Sequence, residues 1–173
     1  NNDIQGQAGN DTLSGGDGND SLDGNAGADS LIGGNGNDYL RAADGANDTL
    51  DGGADSDVAN YTFSGTAPVT FIATGATGTQ LDGLGGTDTL ISIEEMHIFT
   101  GSGADTITGD SLRNYIQGNA GNDTLTGGAG NDTLVGIENV NGSDFDDSIT
   151  GDGNANSLEG RGGNDTIVGG GGS

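Results

Sequence analysis

Apolar residues recur along this chain at nine-residue intervals, one to each interval, with glycine, asparagine and aspartate between them. In residues 118–135, for example, GNAGNDTLT is followed at once by GGAGNDTLV. Six Gly-rich residues ending in Asn-Asp are typical of a tight turn, because Gly and Asn tolerate a positive φ. The Thr-Leu-Thr or Thr-Leu-Val that follows is short and β-branched, which indicates a strand with one inward residue.

Such a unit cannot bury its single leucine alone, so it needs copies of itself stacked above and below. The period therefore predicts an all-β fold, a β-solenoid of stacked strand–turn repeats. Two units make one coil, so residues eighteen apart lie above one another on the same edge. We number each unit from the first turn residue, which puts the aspartate at position 6 and the inward residue at position 8.

The repeat divides the chain into three segments. A first array covers residues 1–60 and includes a ten-residue copy at 42–51. A second array covers 83–173, with insertions at 92–99 and 136–141. Between them, residues 61–82 contain the only proline and an alternating pattern that is typical of longer strands. We expect one continuous solenoid, with 61–82 as an irregular β insertion or cap.

Four apolar residues of the middle segment are expected to cover the end of the roll or to form one enlarged coil: Tyr61, Phe63, Phe71 and Ile72. The two later insertions resemble one another, since Ile93 and Met96 in the first parallel Ile137 and Val140 in the second. Two inward apolar residues three apart predict a wider coil wall at both places.

Composition shows that burial alone is a weak source of stability here. Only 29% of the residues are hydrophobic and 4% aromatic, while 38 are glycine and none is cysteine. Glycine raises the entropy cost of folding, and no disulfide offsets it. The 27 acidic residues face only three basic ones, for a net charge of −24. Such a chain repels nucleic acid, and it has no apolar run long enough for membrane insertion.

The turn aspartates indicate what stabilises the fold besides burial. On each edge they stack about 4.8 Å apart, and two carboxylates at that distance repel by roughly 3–4 kcal/mol at an effective dielectric near 20. Cations between them would remove this repulsion. Carboxylate and carbonyl oxygens without His or Cys select a hard cation, and a flexible turn favours Ca²⁺ over octahedral Mg²⁺. The predicted side-chain ligands are Asp11, Asp20, Asp29, Asp38, Asp48, Asp57, Asp88, Asp105, Asn114, Asp123, Asp132, Asp147 and Asp165.

The repeat closely resembles the RTX nonapeptide, GGxGxDxUx, of secreted bacterial proteins, and the resemblance covers nearly the whole chain. It implies a right-handed parallel β-roll that holds several calcium ions. It also implies a secreted or cell-surface protein, exported by a type I route and folded outside the cell. Asn2, Asn114 and Asn156 depart from the pattern, because a neutral amide stands where the family has a carboxylate.

In that family each ion takes carbonyls from turn positions 2 and 4 together with the Asp, and carbonyls 1 and 3 with the Asp of the next turn on the same edge. Carried over, one ion lies between the turns of Asp20 and Asp38, and another between those of Asp105 and Asp123. The backbone carbonyl ligands that the resemblance implies are those of Gln7, Gly9, Gly16, Gly18, Gly24, Asn25, Ala26, Gly27, Gly33, Gly34, Asn35, Gly36, Gly52, Ala54, Gly101, Gly103, Asp110, Leu112, Gly118, Ala120, Gly127, Ala129, Ser143, Phe145, Gly160 and Gly162.

Catalysis finds little support in the sequence. His97 is the only histidine and lies between Met96 and Ile98, which favours a structural or solvent-facing role. Glu94 and Glu95 are neighbours on an expected strand, so their side chains point to opposite faces. The glycine turns lack the lysine and the following helix of a phosphate loop. We therefore expect no enzymatic activity.

Three functions remain open. The first is a calcium-stiffened structural or adhesive segment of a larger secreted protein, in contact with neighbouring repeats or a cell-surface partner. The second is an accessory domain of a secreted enzyme of the lipase, protease or alginate epimerase type, which the adjoining sequence would reveal. The third is ice binding by a ladder of outward Thr and Ser pairs, namely Thr106/Thr108, Thr124/Thr126 and Ser148/Thr150.

Overall fold

The computed structural model describes residues 1–41, 44–81, 83–137, 139–151 and 153–171. Within these ranges every regular element is a β-strand, and no helix is long and apolar enough to cross a bilayer. Parts of three predicted segments, at Ala42, Ala43, Asp82 and Glu138, lie outside the described residues. The strands are β1 (Asp3–Gln5), β2 (Thr12–Asp17), β3 (Ser21–Asp23), β4 (Ser30–Asn35), β5 (Tyr39–Arg41), β6 (Thr49–Ala54), β7 (Val58–Thr62), β8 (Thr70–Ile72), β9 (Gly78–Leu81), β10 (Thr87–Ile91), β11 (Glu95–Phe99), β12 (Thr106–Thr108), β13 (Arg113–Gln117), β14 (Thr124–Thr126), β15 (Thr133–Val135), β16 (Asn139–Asn141), β17 (Ser148–Thr150), β18 (Ser157–Glu159) and β19 (Thr166–Val168).

The chain divides into two compact units. The first consists of Asn1–Tyr61 with Thr74–His97, and the second consists of Thr62–Ala73 with Ile98–Ser173. In both units the strands of successive coils pair in parallel, which confirms the predicted all-β parallel β-solenoid. In the three-residue strands of the regular repeats, such as β5 and β14, the central residue is the buried one, as the nine-residue period requires.

The first unit has two stacks of parallel strands. In one, β1, β3, β5 and β7 pair in order, so that Ile4, Leu22, Leu40 and Ala59 form one column. In the other, β2, β4, β6 and β10 align a second column of leucines at positions 13, 31, 50 and 90. Strand β9 adds to β10 in the antiparallel direction, which the repeat pattern did not predict.

The second unit repeats this arrangement. Strands β13, β15, β17 and β19 pair in parallel, and so do β8, β12, β14, β16 and β18. Phe71 of β8 pairs with Ile107, so the middle segment supplies one extra coil wall. The inward residues Ile107, Leu125, Leu134 and Ile149 are all buried.

Three of the four middle-segment residues are buried as predicted, namely Tyr61, Phe63 and Phe71. The fourth prediction was wrong, because Ile72 is 57% exposed. Side chains alternate along a strand, so the burial of Phe71 turns Ile72 outward. At both later insertions the paired apolar residues are buried, while the wider coil wall stays a prediction.

The outward Thr pairs do not form one long ladder. Thr106 and Thr108 pair with Thr124 and Thr126, but the next strand on that side carries asparagines. Ser148 and Thr150 belong to the other sheet of the unit, between β15 and β19. The regular Thr surface is therefore only two strands wide.

Candidate metal sites

The turns place the predicted ligand side chains at the edges of each unit, just before the inward strand residues. All thirteen are buried except Asp11 and Asp165, which are half-buried. Asp11 lies in the first full repeat of the first unit, and Asp165 lies in the last repeat of the second. Burial of so many acidic side chains is costly unless each one finds a partner.

One oxygen of each aspartate binds the preceding coil. Oδ1 of Asp38 accepts the backbone N–H of Asp20 at 2.8 Å, and Oδ1 of Asp57 accepts that of Asp38 at 2.8 Å. Because this bond joins two coils, it fixes their register, and the spacing of the aspartates alone did not reveal it. The same bond joins Asp11 to Asp29, Asp29 to Asp48, Asp48 to Asp88, Asp105 to Asp123, Asn114 to Asp132, Asp132 to Asp147 and Asp147 to Asp165.

The second oxygen is the unusual one. In several of the turn aspartates Oδ2 is buried and accepts no hydrogen bond. A buried carboxylate oxygen without a donor is destabilising, so a native structure rarely keeps one without an ion or a water. These residues are Asp11, Asp20, Asp29, Asp38, Asp57, Asp105 and Asp132.

A backbone carbonyl from the next coil faces the same space. A Cβ built on Gly6 would lie 2.8 Å from Oδ2 of Asp11 and 2.8 Å from the carbonyl oxygen of Gly24. A Cβ built on Gly15 would likewise contact Oδ2 of Asp20 and lie 2.7 Å from the carbonyl oxygen of Gly33. Glycine at these two positions leaves open a cradle lined by two acceptors, which a side chain would fill. At the first residue of the Asp105 turn the side chain of Thr100 does fill it, and its hydroxyl donates to the carbonyl oxygen of Gly118 at 2.9 Å.

Positions with asparagine show what this cradle requires. Nδ2 of Asn2 donates to the carbonyl oxygen of Gly15 at 2.9 Å, and Nδ2 of Asn156 donates to that of Gly169 at 2.7 Å. The carbonyl lies thirteen residues after the side chain in both cases, as Gly33 does after Asp20. An amide thus supplies the donor that a carboxylate lacks. Where an aspartate has no such donor, a cation can take the same role.

Asn114 belongs to this amide group. Its Nδ2 donates to the carbonyl of Leu112 at 3.0 Å and is 3.4 Å from that of Gly127. It also donates to Oδ1 of Asp110 at 3.2 Å and to Oδ1 of Asp132 at 3.3 Å. The amide satisfies oxygens that the resemblance assigns to an ion, so this turn has less need of calcium than its neighbours.

Other predicted carbonyl ligands hold the coils together. The carbonyl of Asn35 accepts the N–H of Gly18 at 2.8 Å, and the carbonyl of Asp110 accepts that of Ala129 at 2.7 Å. A carbonyl oxygen has two lone pairs, so such a bond leaves room for a second partner. The carbonyls of Gln7, Ala26, Ala54 and Ser143 are engaged in the same way.

The carbonyls at positions 2 and 4 approach a glycine of the next coil. The carbonyl oxygen of Gly18 would lie 2.5 Å from a Cβ on Gly36, whose φ is +114°. Only glycine fits there, because both the backbone angle and the space exclude a side chain. The carbonyls of Gly9, Gly16, Gly34, Gly103, Leu112 and Phe145 are placed similarly.

Among the predicted ligands, Asp88 and Asp147 use both carboxylate oxygens within the protein. Oδ2 of Asp88 accepts the hydroxyl of Tyr61 at 2.9 Å. Oδ2 of Asp147 accepts the backbone N–H of Ser143 at 2.8 Å and the Ser143 hydroxyl at 3.2 Å. These carboxylates are less available to coordinate an ion than those whose Oδ2 accepts no hydrogen bond.

The electrostatics of these sites favour a bound cation. Burial raises the pKa of Asp132 to about 7, and the carboxylates of Asp147 and Asp110 contribute to the rise. Burial also raises the pKa of Asp57 to about 6, with a further contribution from Asp38 and Glu94 among its acidic neighbours. A carboxyl in such a site is stabilised by a proton or by a metal ion.

The donor set selects the metal. Among the described residues, no group of three or more His, Cys, Asp or Glu side chains converges on one point. Each cradle instead combines a carboxylate oxygen with backbone carbonyls, and such hard oxygen donors suit Ca²⁺. The residues present therefore fit calcium.

Parallel β-rolls whose turns carry acceptor-lined cradles define a class of metal-binding repeat proteins. The family model of the RTX calcium-binding nonapeptide repeat (4 copies) matches residues 1–31, 14–47, 23–59, 97–111, 108–136 and 141–173. These matches cover well over half of the chain, which therefore belongs to the RTX calcium-binding repeat family. No individual curated protein matches it. The cofactor is Ca²⁺, bound as several ions.

Proposed function

We propose that this chain is a calcium-dependent structural and adhesive segment of a larger protein that acts outside the cell. The observation that carries the proposal is the cradle at the turns, where a buried Oδ2 and a carbonyl oxygen face one another without a donor. Ions that bind only the folded chain stabilise it by mass action. Folding then follows the calcium concentration, which is low in the cytosol and high outside.

The composition supports a mechanical role. Each coil contacts only its neighbours, so stiffness grows with the number of ions held between coils. The net charge of −24 keeps the calcium-free chain expanded and soluble. Such a chain passes through an export channel unfolded and becomes a folded spacer or adhesin once calcium is present.

An enzymatic role has little support in the described residues. His97 lies on β11, where its Nε2 is 2.8 Å from Oε1 of Glu95 and its ring packs edge-on against Tyr39. Glu94 and Glu95 diverge, because Glu94 accepts the backbone N–H of Asp57 while Glu95 binds His97. If the parent protein is an enzyme, we propose that this chain is its accessory domain.

Force spectroscopy on the chain held between two handles tests the mechanical role. We expect a resisted, stepwise extension in millimolar Ca²⁺ and a featureless entropic extension in EDTA. A force–extension curve that is the same in both solutions would rule the role out. Beads coated with the chain test adhesion, and calcium-dependent attachment to cells or to one another is the expected result.

A further inference from the structure

The carboxylate column on one edge of the first unit does not end with the nonapeptide repeats. Asp20, Asp38 and Asp57 are linked by bonds from each backbone N–H to the next Oδ1. The next member of this column is Glu94, whose Oε2 accepts the N–H of Asp57 at 2.9 Å. Glu94 lies between the segments that the family model matches, which end at residue 59 and resume at residue 97.

The backbone puts Glu94 in register with the turn aspartates. The N–H of Glu95 donates to the carbonyl of Asp57 at 3.0 Å, as the N–H of Val58 donates to the carbonyl of Asp38 at 2.9 Å. Met96 is fully buried, like the inward residue of a repeat. Glu94, Glu95 and Met96 therefore occupy positions 6, 7 and 8 of a coil that is not a nonapeptide.

Ser92 supplies the carbonyl that glycine supplies in a regular turn. A Cβ on Gly33 would lie 2.5 Å from the carbonyl oxygen of Gly52, and a Cβ on Gly52 would contact the carbonyl oxygen of Ser92. The same Cβ would lie 2.6 Å from Oδ2 of Asp57. Ser92 adopts a φ of +50°, an unusual angle for serine, which indicates that this turn is constrained.

Two oxygens thus meet at Gly52 as they do in a repeat site, and the carboxylate of Glu94 is bonded to the N–H of Asp57 beside them. Oδ2 of Asp57 is buried, accepts no hydrogen bond, and points into the cradle that the Ser92 carbonyl also lines. Only three residues, 92–94, replace the six of a normal turn, and the extra methylene of glutamate makes up part of the lost reach. Glu94 is exposed, so an ion can enter from solvent.

We propose that Asp57, Glu94 and the Ser92 carbonyl form a further calcium site, built by an insertion rather than by a nonapeptide. The proposal rests on the calcium-dependent function proposed above. The site extends the column of ions by one coil beyond the recognisable repeats and neutralises the acidic pair where the insertion joins the roll.

The second insertion repeats much of this local arrangement. A Cβ on Gly118 would lie 2.6 Å from Oδ2 of Asp123 and 2.8 Å from the carbonyl oxygen of Gly136, whose φ is +68°. The N–H of Asn139 donates to the carbonyl of Asp123 at 3.2 Å. The residue that corresponds to Glu94 in the sequence is Glu138, which lies outside the described residues.

Calcium stoichiometry in the whole chain tests the proposal with two matched variants. Glu94→Gln keeps an oxygen that can accept the N–H of Asp57 and removes one negative charge. Glu95→Gln removes the same charge from the adjacent residue, which binds His97 instead. We expect equilibrium dialysis to show one ion fewer for Glu94→Gln and the wild-type number for Glu95→Gln, with both variants folded in saturating calcium by circular dichroism.

Equal calcium binding by Glu94→Gln and wild type would overturn the proposal, and so would an equal loss in both variants. A wild-type chain that binds no calcium would instead refute the proposed function as a whole. An independent measurement avoids any folding defect in a variant. In wild-type crystals grown with calcium, we expect an anomalous peak between Asp57 and Glu94, and its absence beside filled repeat sites would contradict the proposal.

Discussion

Most turn aspartates divide their two oxygens between two tasks. Oδ1 accepts a backbone N–H of the preceding coil, while Oδ2 shares a cradle with a carbonyl of the following coil, as at Asp20. The first task needs only an acceptor, so asparagine can perform it. The second needs a positive charge or an N–H, and this difference separates the calcium-dependent turns from the amide turns at Asn2, Asn114 and Asn156.

Substitution of Asp20 tests this division. In Asp20→Asn the amide can donate to the carbonyl of Gly33, as Asn2 does to that of Gly15. We expect this variant to lose one ion but to retain most of its stability. Asp20→Ala loses the ion and the bond to Asn2, and leaves the carbonyl of Gly33 unsatisfied, at a cost of about 1–3 kcal/mol. Calcium stoichiometry and urea unfolding distinguish the two. If both variants lost equal stability, the amide would not replace the ion.

The position of an aspartate in its column sets the size of its effect. Asp29 is bonded on both sides, because its Oδ1 accepts from Asp11 and its N–H donates to Asp48. Asp165 accepts from Asp147 near the end of the second unit. We expect Asp29→Ala to raise the calcium midpoint for folding more than Asp165→Ala, since a central break divides the stack while a terminal one only frays it. Circular dichroism titrations decide, and equal midpoints would refute the bridging role.

At the scale of the element, a strand of the regular repeat depends on one inward residue. Leu31 of β4 is fully buried and pairs with Leu13 below and Leu50 above. Ile167 of β19 occupies the same position in its repeat but is 46% exposed, because β19 is the last strand of its sheet. The same sequence position therefore contributes differently at the centre and at the end of a stack.

Alanine substitutions measure that difference. We expect Leu31→Ala to cost about 2–5 kcal/mol in saturating calcium, because it removes a buried side chain and leaves a cavity. Ile167→Ala should cost well under half as much. Denaturant unfolding of both variants provides the comparison. Equal losses would mean that stability is not set by the stacking of neighbouring coils.

The sequence predicts these elements well where the nine-residue period is intact. Leu22 and Leu40 lie in register because the period places them there, and the turn aspartates follow for the same reason. The period fails at insertions, so it could not show that Glu94 continues a carboxylate column. Nor could it show that β9 runs antiparallel, or that the hydroxyl of Tyr61 reaches Asp88, since these contacts join segments with no common repeat. The prediction for Ile72 was wrong because side chains alternate along a strand. When Phe71 points into the core, Ile72 points to solvent.

At the scale of the whole molecule, acidic burial makes the calcium-free fold sensitive to pH. The pKa of Asp132 is raised to about 7 from 3.8, chiefly by burial, and that of Asp57 to about 6. Between pH 3.8 and about pH 7 the folded chain binds more protons than the unfolded chain. The free energy of unfolding of the calcium-free chain therefore falls as the pH rises through this range. Protons thus partly replace the cations.

We therefore expect the β signal of the chain in EDTA to increase as the pH is lowered from above 7 towards 3.8. Circular dichroism across that range measures it. In Asp132→Asn the β signal should depend less steeply on pH, because one of the carboxyl groups with a raised pKa is removed. A β signal in EDTA that grows with rising pH would contradict the assignment.

The central claim is that calcium, rather than the apolar core, decides whether this chain folds. The most direct measurement is far-ultraviolet circular dichroism at neutral pH, first in EDTA and then with calcium added to about 10⁻³ M, the range of extracellular sites. We expect a disordered spectrum in EDTA and a cooperative change to a β spectrum as calcium is added. A strong β spectrum that persists in EDTA at neutral pH would contradict it.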